Sequence, residues 1–274
     1  MKSSRAGRIA TGIVMLSIAC AVALPFYYIV VNTFKNQQQT SESPLGLPSS
    51  LTLANYRAVF DTVPVWHSFA NTIYVTALSV LVMLLIGAMA AYGVVMRRKR
   101  SSRRIHTLLI LALAVPFQVI LIPLYQFFVT LHLVDNLNGL VVLYSSGSIF
   151  CYFLIQGYMS TLPYELIESA RIDGASPSRI LWRIVVPLIK PILVTVGVLQ
   201  TMWVWNDFLI ANTFLVSPSN YTIVMQVYST VGQFETDWPA FMTITVLSLI
   251  PITIFFVLMQ RQIVSGLVAG AVKG

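Results

Sequence analysis

Hydrophobic residues along this chain gather in long unbroken runs, and six of these runs reach the roughly 20 residues that a helix needs to cross a bilayer. They lie near 9–31, 69–96, 105–128, 139–157, 191–216 and 240–259. Backbone groups in hydrocarbon must be satisfied within their own segment or within a closed barrel, and runs of this length without period-two alternation predict helices. The expected fold is all-α: a polytopic membrane protein, with residues 1–274 forming one membrane domain of six spans. Pro25, Pro116, Pro123 and Pro251 interrupt the runs, and each is expected to remove a backbone donor and bend its helix.

The polar connections between the runs set the orientation. Lys2, Arg5 and Arg8 precede the first run in the manner of a signal peptide, but the run continues past the length of such a segment and has no small-x-small cleavage pattern, so a retained anchor is expected. Of the 17 Lys and Arg, 15 fall in alternate connections: 3 at the N-terminus, 6 in RRKRSSRR, 4 between Arg171 and Lys190, and 2 in the tail. Only Lys35 and Arg57 lie on the other side. By the positive-inside rule both termini, RRKRSSRR and the connection 158–190 are cytoplasmic, while 36–66 and 217–239 face outward.

Composition supports a membrane setting, since 57% of the residues are hydrophobic and 9% charged, with a mean hydropathy of +0.80. A soluble chain of that make-up would expose large apolar patches. The net charge of +8 does not indicate nucleic acid, because the basic residues sit in short gaps between apolar runs and not on one face beside a packed core. Cys20 and Cys151 lie inside runs and lack zinc spacing, and His67, His106 and His132 lie near run ends, far apart in sequence. No catalytic or metal site is expected. None of the five lysines follows a P-loop glycine run, so the chain is expected to bind no nucleotide of its own.

An acidic residue at mid-bilayer costs about 2.5–3.5 kcal/mol on insertion scales, which makes the placement of the nine acids informative. Glu42, Asp61, Asp135, Glu235 and Asp237 fall in outward connections, Glu165, Glu168 and Asp173 share one cytoplasmic connection, and Asp207 alone lies within a predicted span. The cytoplasmic connection, TLPYELIESARIDGASPSRILWRIVVPLIKP, reads as two short helices. Pro163 and Glu165 suit a helix start, Gly174 supplies a left-handed residue to end it, and Ser176-Pro177 restarts one as N-cap and first helical residue. On the second helix Ile180, Ile184, Leu181 and Val185 form an apolar stripe, and Arg179 and Arg183 a basic row. Spacing alone leaves two readings open: a cover over the inner end of the bundle, or a surface that pairs with another chain.

The residues go further than spacing. Glu168-Ser-Ala170-x-x-Asp173-Gly174-Ala175, followed by Pro187-Leu188 and Pro191, closely resembles the "EAA" motif of binding-protein-dependent ABC permeases, with Ser169 in place of the first alanine. Trp205-Asn206-Asp207, the tail GLVAGAVKG at 266–274, Pro116, the run IPLYQFF after Leu121, and Asn71 resemble the carbohydrate-uptake branch, in particular its second maltose-type permease. The resemblance implies that Glu168, Ala170, Asp173, Gly174, Ala175, Arg179 and Pro187 belong to a pair of helices docked on an ATPase subunit. It further implies a heterodimer with a homologous permease, two ATPase subunits that hold the ATP and Mg²⁺, and an extracytoplasmic sugar-binding protein that meets the outward loops. The loop 217–239 and the tail residues Gly270, Lys273 and Gly274 inherit contacts with the binding protein and the ATPase in turn. The implied location is a prokaryotic inner membrane, with lipid as solvent.

Asp207 lies 16 residues beyond Pro191, about 24 Å along a helix, which predicts a position in the outer half of the membrane. Trp205 and Asn206 are candidates to stack on and hydrogen-bond a sugar; alternatively Asn206 and Asp207 bond neighbouring helices and hold a bend. No basic residue sits well inside a predicted span, which favours a neutral di- or oligosaccharide over an anionic cargo such as glycerol phosphate. A stand-alone secondary transporter, which ordinarily uses several buried acids, has only Asp207 to work with.

Overall fold

The computed structural model describes residues 5–97, 100–231 and 237–271, and among them the regular elements are helices. Four are long and apolar enough to cross a membrane: Gly7–Asn32, Val65–Met96, Leu137–Met159 and Trp238–Gln262. Two pairs qualify jointly, Ser101–Leu113 with Phe117–Thr130 and Pro177–Leu188 with Lys190–Trp205, but they are bent by 94° and 76°. The chain is an all-α polytopic membrane protein with four to six spans, the higher number holding if each bent pair crosses once.

Two of the expected spans are broken. The run 105–128 is not one straight helix: it stops at Leu113 and restarts at Phe117, with Pro116 as the extended N-terminal cap (φ −64°, ψ 131°). Proline has no N–H for the preceding turn and drives the residue before it out of the helical region, which explains a break at this point. Pro25, Pro123 and Pro251, by contrast, are carried inside continuous helices. The run 191–216 also ends early, since the helix Lys190–Trp205 gives way at Asn206 and a second helix begins only at Leu209. Asp207 therefore lies in a helix break, two residues beyond the end of the helix Lys190–Trp205.

The chain packs as two compact units, Met1–Trp66 with Ile223–Pro251 and His67–Thr222 with Ile252–Gly274. In the first unit the connection after the first helix is folded, with short helices at Gln37–Glu42 and Ala54–Thr62. Asn32 Nδ2 donates to the carbonyls of Tyr28 and Pro44, and the Asn55 amide donates to those of Thr33 and Lys35. Lys35 is buried and donates through Nζ to the Ser43 carbonyl at 2.8 Å, so its charge is solvated by backbone instead of water.

The second unit holds the larger core, with Leu140, Tyr144, Cys151, Tyr152, Ile155, Ile180, Ile189 and Val196 buried. Its helices approach closely where side chains are small: a Cβ on Gly87 would lie 2.8 Å from the Cβ of Cys151 and 3.0 Å from the Tyr152 nitrogen. The span Leu137–Met159 tightens to a 3-10 turn at Ser145–Gly147, which interrupts its regular ridge of side chains midway.

Candidate functional site

The connection 160–190 forms the two predicted helices. The first, Glu165–Ile172, carries Glu165 and Glu168 in its opening turn, where carboxylates favour the positive end of the helix dipole. It closes on Asp173, after which Gly174 adopts φ +76°. The Gly174 N–H donates to the Arg171 carbonyl at 3.0 Å and the Ala175 N–H to the Ala170 carbonyl at 2.9 Å. That pair of bonds is a Schellman closure, and it explains a glycine four residues after a buried alanine: a residue with a side chain resists positive φ, and Ala170 is small enough to pack beneath the turn. Ser176 then caps the next helix through its Oγ, which accepts from the Arg179 N–H at 3.3 Å, with Pro177 in the first turn.

Beyond Ile180 the helix widens to a π turn over Leu181–Val185 before Val186–Leu188. Pro187 follows directly, and with no N–H it leaves the carbonyl four residues earlier without its usual helical donor. The predicted stripe is buried at Ile180, Leu181 and Val185 and half-buried at Ile184. Glu165, Glu168, Asp173, Arg179 and Arg183 are exposed, and with them Leu166, Trp182 and Ile172, the last 81% exposed. One side of the jointed pair thus packs on its own unit, while the other presents both signs of charge around apolar side chains.

The candidate path residues are placed differently from one another. Trp205 is 7% exposed and its ring lies 6.4 Å from that of Phe69. Asn206 is exposed and donates through Nδ2 to the Met202 carbonyl at 2.8 Å. Asp207 Oδ2 accepts from the Tyr144 hydroxyl at 2.8 Å and from the N–H groups of Ile210 and Ala211 at 3.0 and 3.1 Å. It caps the helix Leu209–Phe214 and ties it to the span that carries Tyr144. Of the tail residues, Gly270 falls in the last helix, Trp238–Ala271, and Lys273 and Gly274 lie outside the described residues, as do 232–236 of the loop 217–239.

A third cluster was not singled out by sequence reasoning. Asp135, at φ 57°, receives the N–H groups of Val216 and Ser217 at 3.0 and 2.9 Å, the Ser217 hydroxyl, and the Asn220 amide at 3.1 Å. The Asn71 amide and the His67 ring hold the same segment through the Ser219 carbonyl, at 2.9 and 2.7 Å. Partial burial by itself would raise the Asp135 pKa, but the Ser217 hydroxyl, the two backbone donors and Asn220 together hold the carboxyl well below its ordinary value. The one signal in sequence is the pair Asp135-Asn136 before an apolar run, which predicts a helix cap, and Asn136 does fill that role for Leu137–Tyr144. Removing the carboxylate in Asp135→Ala orphans several donors, and a loss of about 2–4 kcal/mol is expected, read as a lower melting temperature of the purified protein at neutral pH. A depressed folded pKa contributes stability that is complete above the ordinary carboxylate value of about 4 and is lost as pH falls through the lower folded one. The gap between wild type and variant should therefore close only in strongly acidic buffer, and equal melting at pH 7 would remove Asp135 from this role.

A sequence profile of the family described as "binding-protein-dependent transport system inner membrane component" matches residues 83–268. The chain is 34% identical over 250 residues to the probable starch degradation products transport system permease protein of Thermoanaerobacterium thermosulfurigenes, covering 91% of each chain. It is 33% identical over 257 residues to the multiple sugar-binding transport system permease protein of Streptococcus mutans, with 92% of each covered. Among solved structures, a chain of a bacterial ABC transporter involved in the import of the acidic polysaccharide alginate superposes with a TM-score of 0.85 at 23% identity, over 95% of this chain and 99% of that one.

Proposed function

Because this chain belongs to the family of binding-protein-dependent transport system inner membrane components, we propose that it is the membrane-spanning subunit of an ATP-driven ABC importer and forms half of the path for a neutral di- or oligosaccharide. It is a multi-pass transport permease; the energy comes from two partner ATPase subunits, which hold ATP and Mg²⁺, and the sugar from an extracytoplasmic binding protein. The other half of the path is a homologous permease. The Lys and Arg asymmetry puts both termini and the jointed helices on the cytoplasmic side.

The observation that carries the reading is the jointed pair Glu165–Ile172 and Pro177–Leu188, with one face buried and the other presenting Glu168, Asp173, Arg179 and Arg183 around exposed Leu166 and Ile172. Mixed charge surrounding apolar side chains is the make-up of a protein interface. A rigid pair hinged at Gly174 transmits movement of a docked ATPase into the helix Lys190–Trp205, to which it is joined through a 76° bend. The relatives' names direct the cargo toward sugars, and the lack of a basic residue inside the spans favours a neutral one. A phosphorylated solute such as glycerol phosphate is the alternative cargo and would need a cation from the partner permease. Proton-coupled transport by the chain alone is disfavoured, since Asp207 is already engaged by Tyr144 and a helix N-terminus.

The complex reconstituted in vesicles with its co-purified partners is expected to take up sugar only when ATP is supplied. Uptake by the isolated chain under a proton gradient, without ATP, would reject the importer reading.

A further inference from the structure

Charge is most concentrated in residues 97–104, where six of eight are Lys or Arg, and the chain has no acid between Asp61 and Asp135 to balance them. Arg103 and Arg104 stand in the opening turns of the helix Arg100–Leu113. Both are exposed, and neither side chain has an ion pair or a hydrogen bond among the described residues. With Thr107 and Leu108 they line a cleft of about 490 Å³, a volume in the range of small-molecule sites.

The helix cannot turn these arginines inward, because its other side is fastened. Ser102 is buried there, and the His106 ring bonds the hydroxyl of buried Tyr152 through Nδ1 at 2.7 Å, which ties the helix to Ser148–Met159. Arg104, Leu108 and Leu111, at i, i+4 and i+7, share the opposite side, with Arg103 and Thr107 along its flank. Polarity changes along that side: two cations come first, then Thr107, then Leu108 and Leu111, which are 66% and 58% exposed. Leu111 is seven residues beyond Arg104, about 10 Å along the helix. A soluble acidic partner would satisfy the arginines and leave the leucines uncovered, and a neutral acyl chain would do the reverse. A phospholipid with net negative charge covers both, its phosphate oxygens accepting from the guanidinium groups and an acyl chain lying along the leucines. In a zwitterionic lipid the headgroup ammonium already offsets the phosphate, so its attraction to the pair is weaker.

We propose that Arg103, Arg104 and the exposed leucines beyond them form a site for an anionic phospholipid of the cytoplasmic leaflet, its phosphate held by the two guanidinium groups and one acyl chain laid along Leu108 and Leu111. The choice of leaflet follows from the Lys and Arg asymmetry, and the binding itself is independent of the cargo.

The test titrates the complex, purified in detergent with its partners, with dioleoylphosphatidylglycerol, dioleoylphosphatidylcholine and inorganic phosphate, and counts bound lipid by native mass spectrometry. The wild-type complex is expected to retain phosphatidylglycerol in preference to phosphatidylcholine, and inorganic phosphate should not displace it. Arg103→Gln with Arg104→Gln should weaken phosphatidylglycerol binding by about thirtyfold, at about fivefold for each basic residue beside an anionic headgroup, and leave phosphatidylcholine as it was. Arg97→Gln with Arg98→Gln removes the same charge outside the cleft and should bind phosphatidylglycerol as the wild type does. An equal loss in that second pair would overturn the site in favour of total charge, and equal retention of the two lipids by the wild type would overturn it as well. Displacement by inorganic phosphate would make it a site for free anions, and loss of the ATPase subunits in parallel with the lipid would make it a protein contact; either result ends the lipid reading. Should the first pair fail to insert, Arg103→Gln and Arg104→Gln made singly keep five of the six basic residues and carry the test, each about fivefold weaker, with unchanged affinity in both overturning the proposal.

Discussion

Glu168→Lys is expected to leave the chain inserted and folded while lowering recovery of the ATPase subunits on co-purification, and ATP-driven uptake with it, by about tenfold or more. The size follows from where the residue sits. Glu168 is exposed in the first turn of Glu165–Ile172, so its side chain is not part of the packing that buries Ile167 and Ala170, and its replacement opens no cavity. Docked against a partner, a hydrogen-bonded carboxylate whose charge is reversed loses its pairing and repels the cation it met; one close pair is worth about 2–5 kcal/mol, and each 1.4 kcal/mol is tenfold. The measurement is the ratio of ATPase subunit to permease in the purified complex, together with ATP-dependent uptake. Unaltered values for both would take Glu168 out of the docking surface, whereas failure to insert would point to a role inside this chain that its exposure argues against.

Asp207→Ala is the change expected to cost most in stability, about 2–5 kcal/mol, because one carboxylate oxygen serves three donors. The helix Leu209–Phe214 loses its cap, and the hydroxyl of Tyr144, a residue 1% exposed, is left buried without its acceptor. Thermal unfolding of the detergent-purified protein, followed by the fraction remaining monodisperse, is the appropriate readout. Tyr144→Phe should cost about 1 kcal/mol, since it removes the donor and leaves the cap, and the double variant should cost less than the two single losses added together. If Asp207→Ala melts with the wild type, the carboxylate holds nothing, and the alternative of a direct contact with cargo regains weight.

Much of the jointed helix pair was legible because its signals are local. A glycine at φ +76°, a serine cap with proline after it, and an apolar stripe at helical spacing each depend on a few neighbouring residues, and the structure has all of them. The exposed charges on the opposite face were also readable, and the two helices begin and end close to where the sequence predicts. Hydropathy located the runs for a related reason: transfer into lipid is a sum over residues, and a sum survives any local irregularity.

The same additivity hid the breaks. A window over 191–216 registers one acid among many apolar residues and does not report that the chain leaves the helix at Asn206, where Asp207 finds Tyr144, 63 residues away. Pro116 announced a break in the third run, but not a turn of 94°, which depends on how the two halves pack. Asp135 read as a loop acid because its partners are 81 to 85 residues distant. The sequence by itself determined the apolar runs, their polar connections and the glycine joint, because lipid transfer and capping are local or additive free energies. Which buried polar groups meet which partner was decided by tertiary packing alone, since a hydrogen bond exists only between groups that the fold brings within about 3 Å of each other.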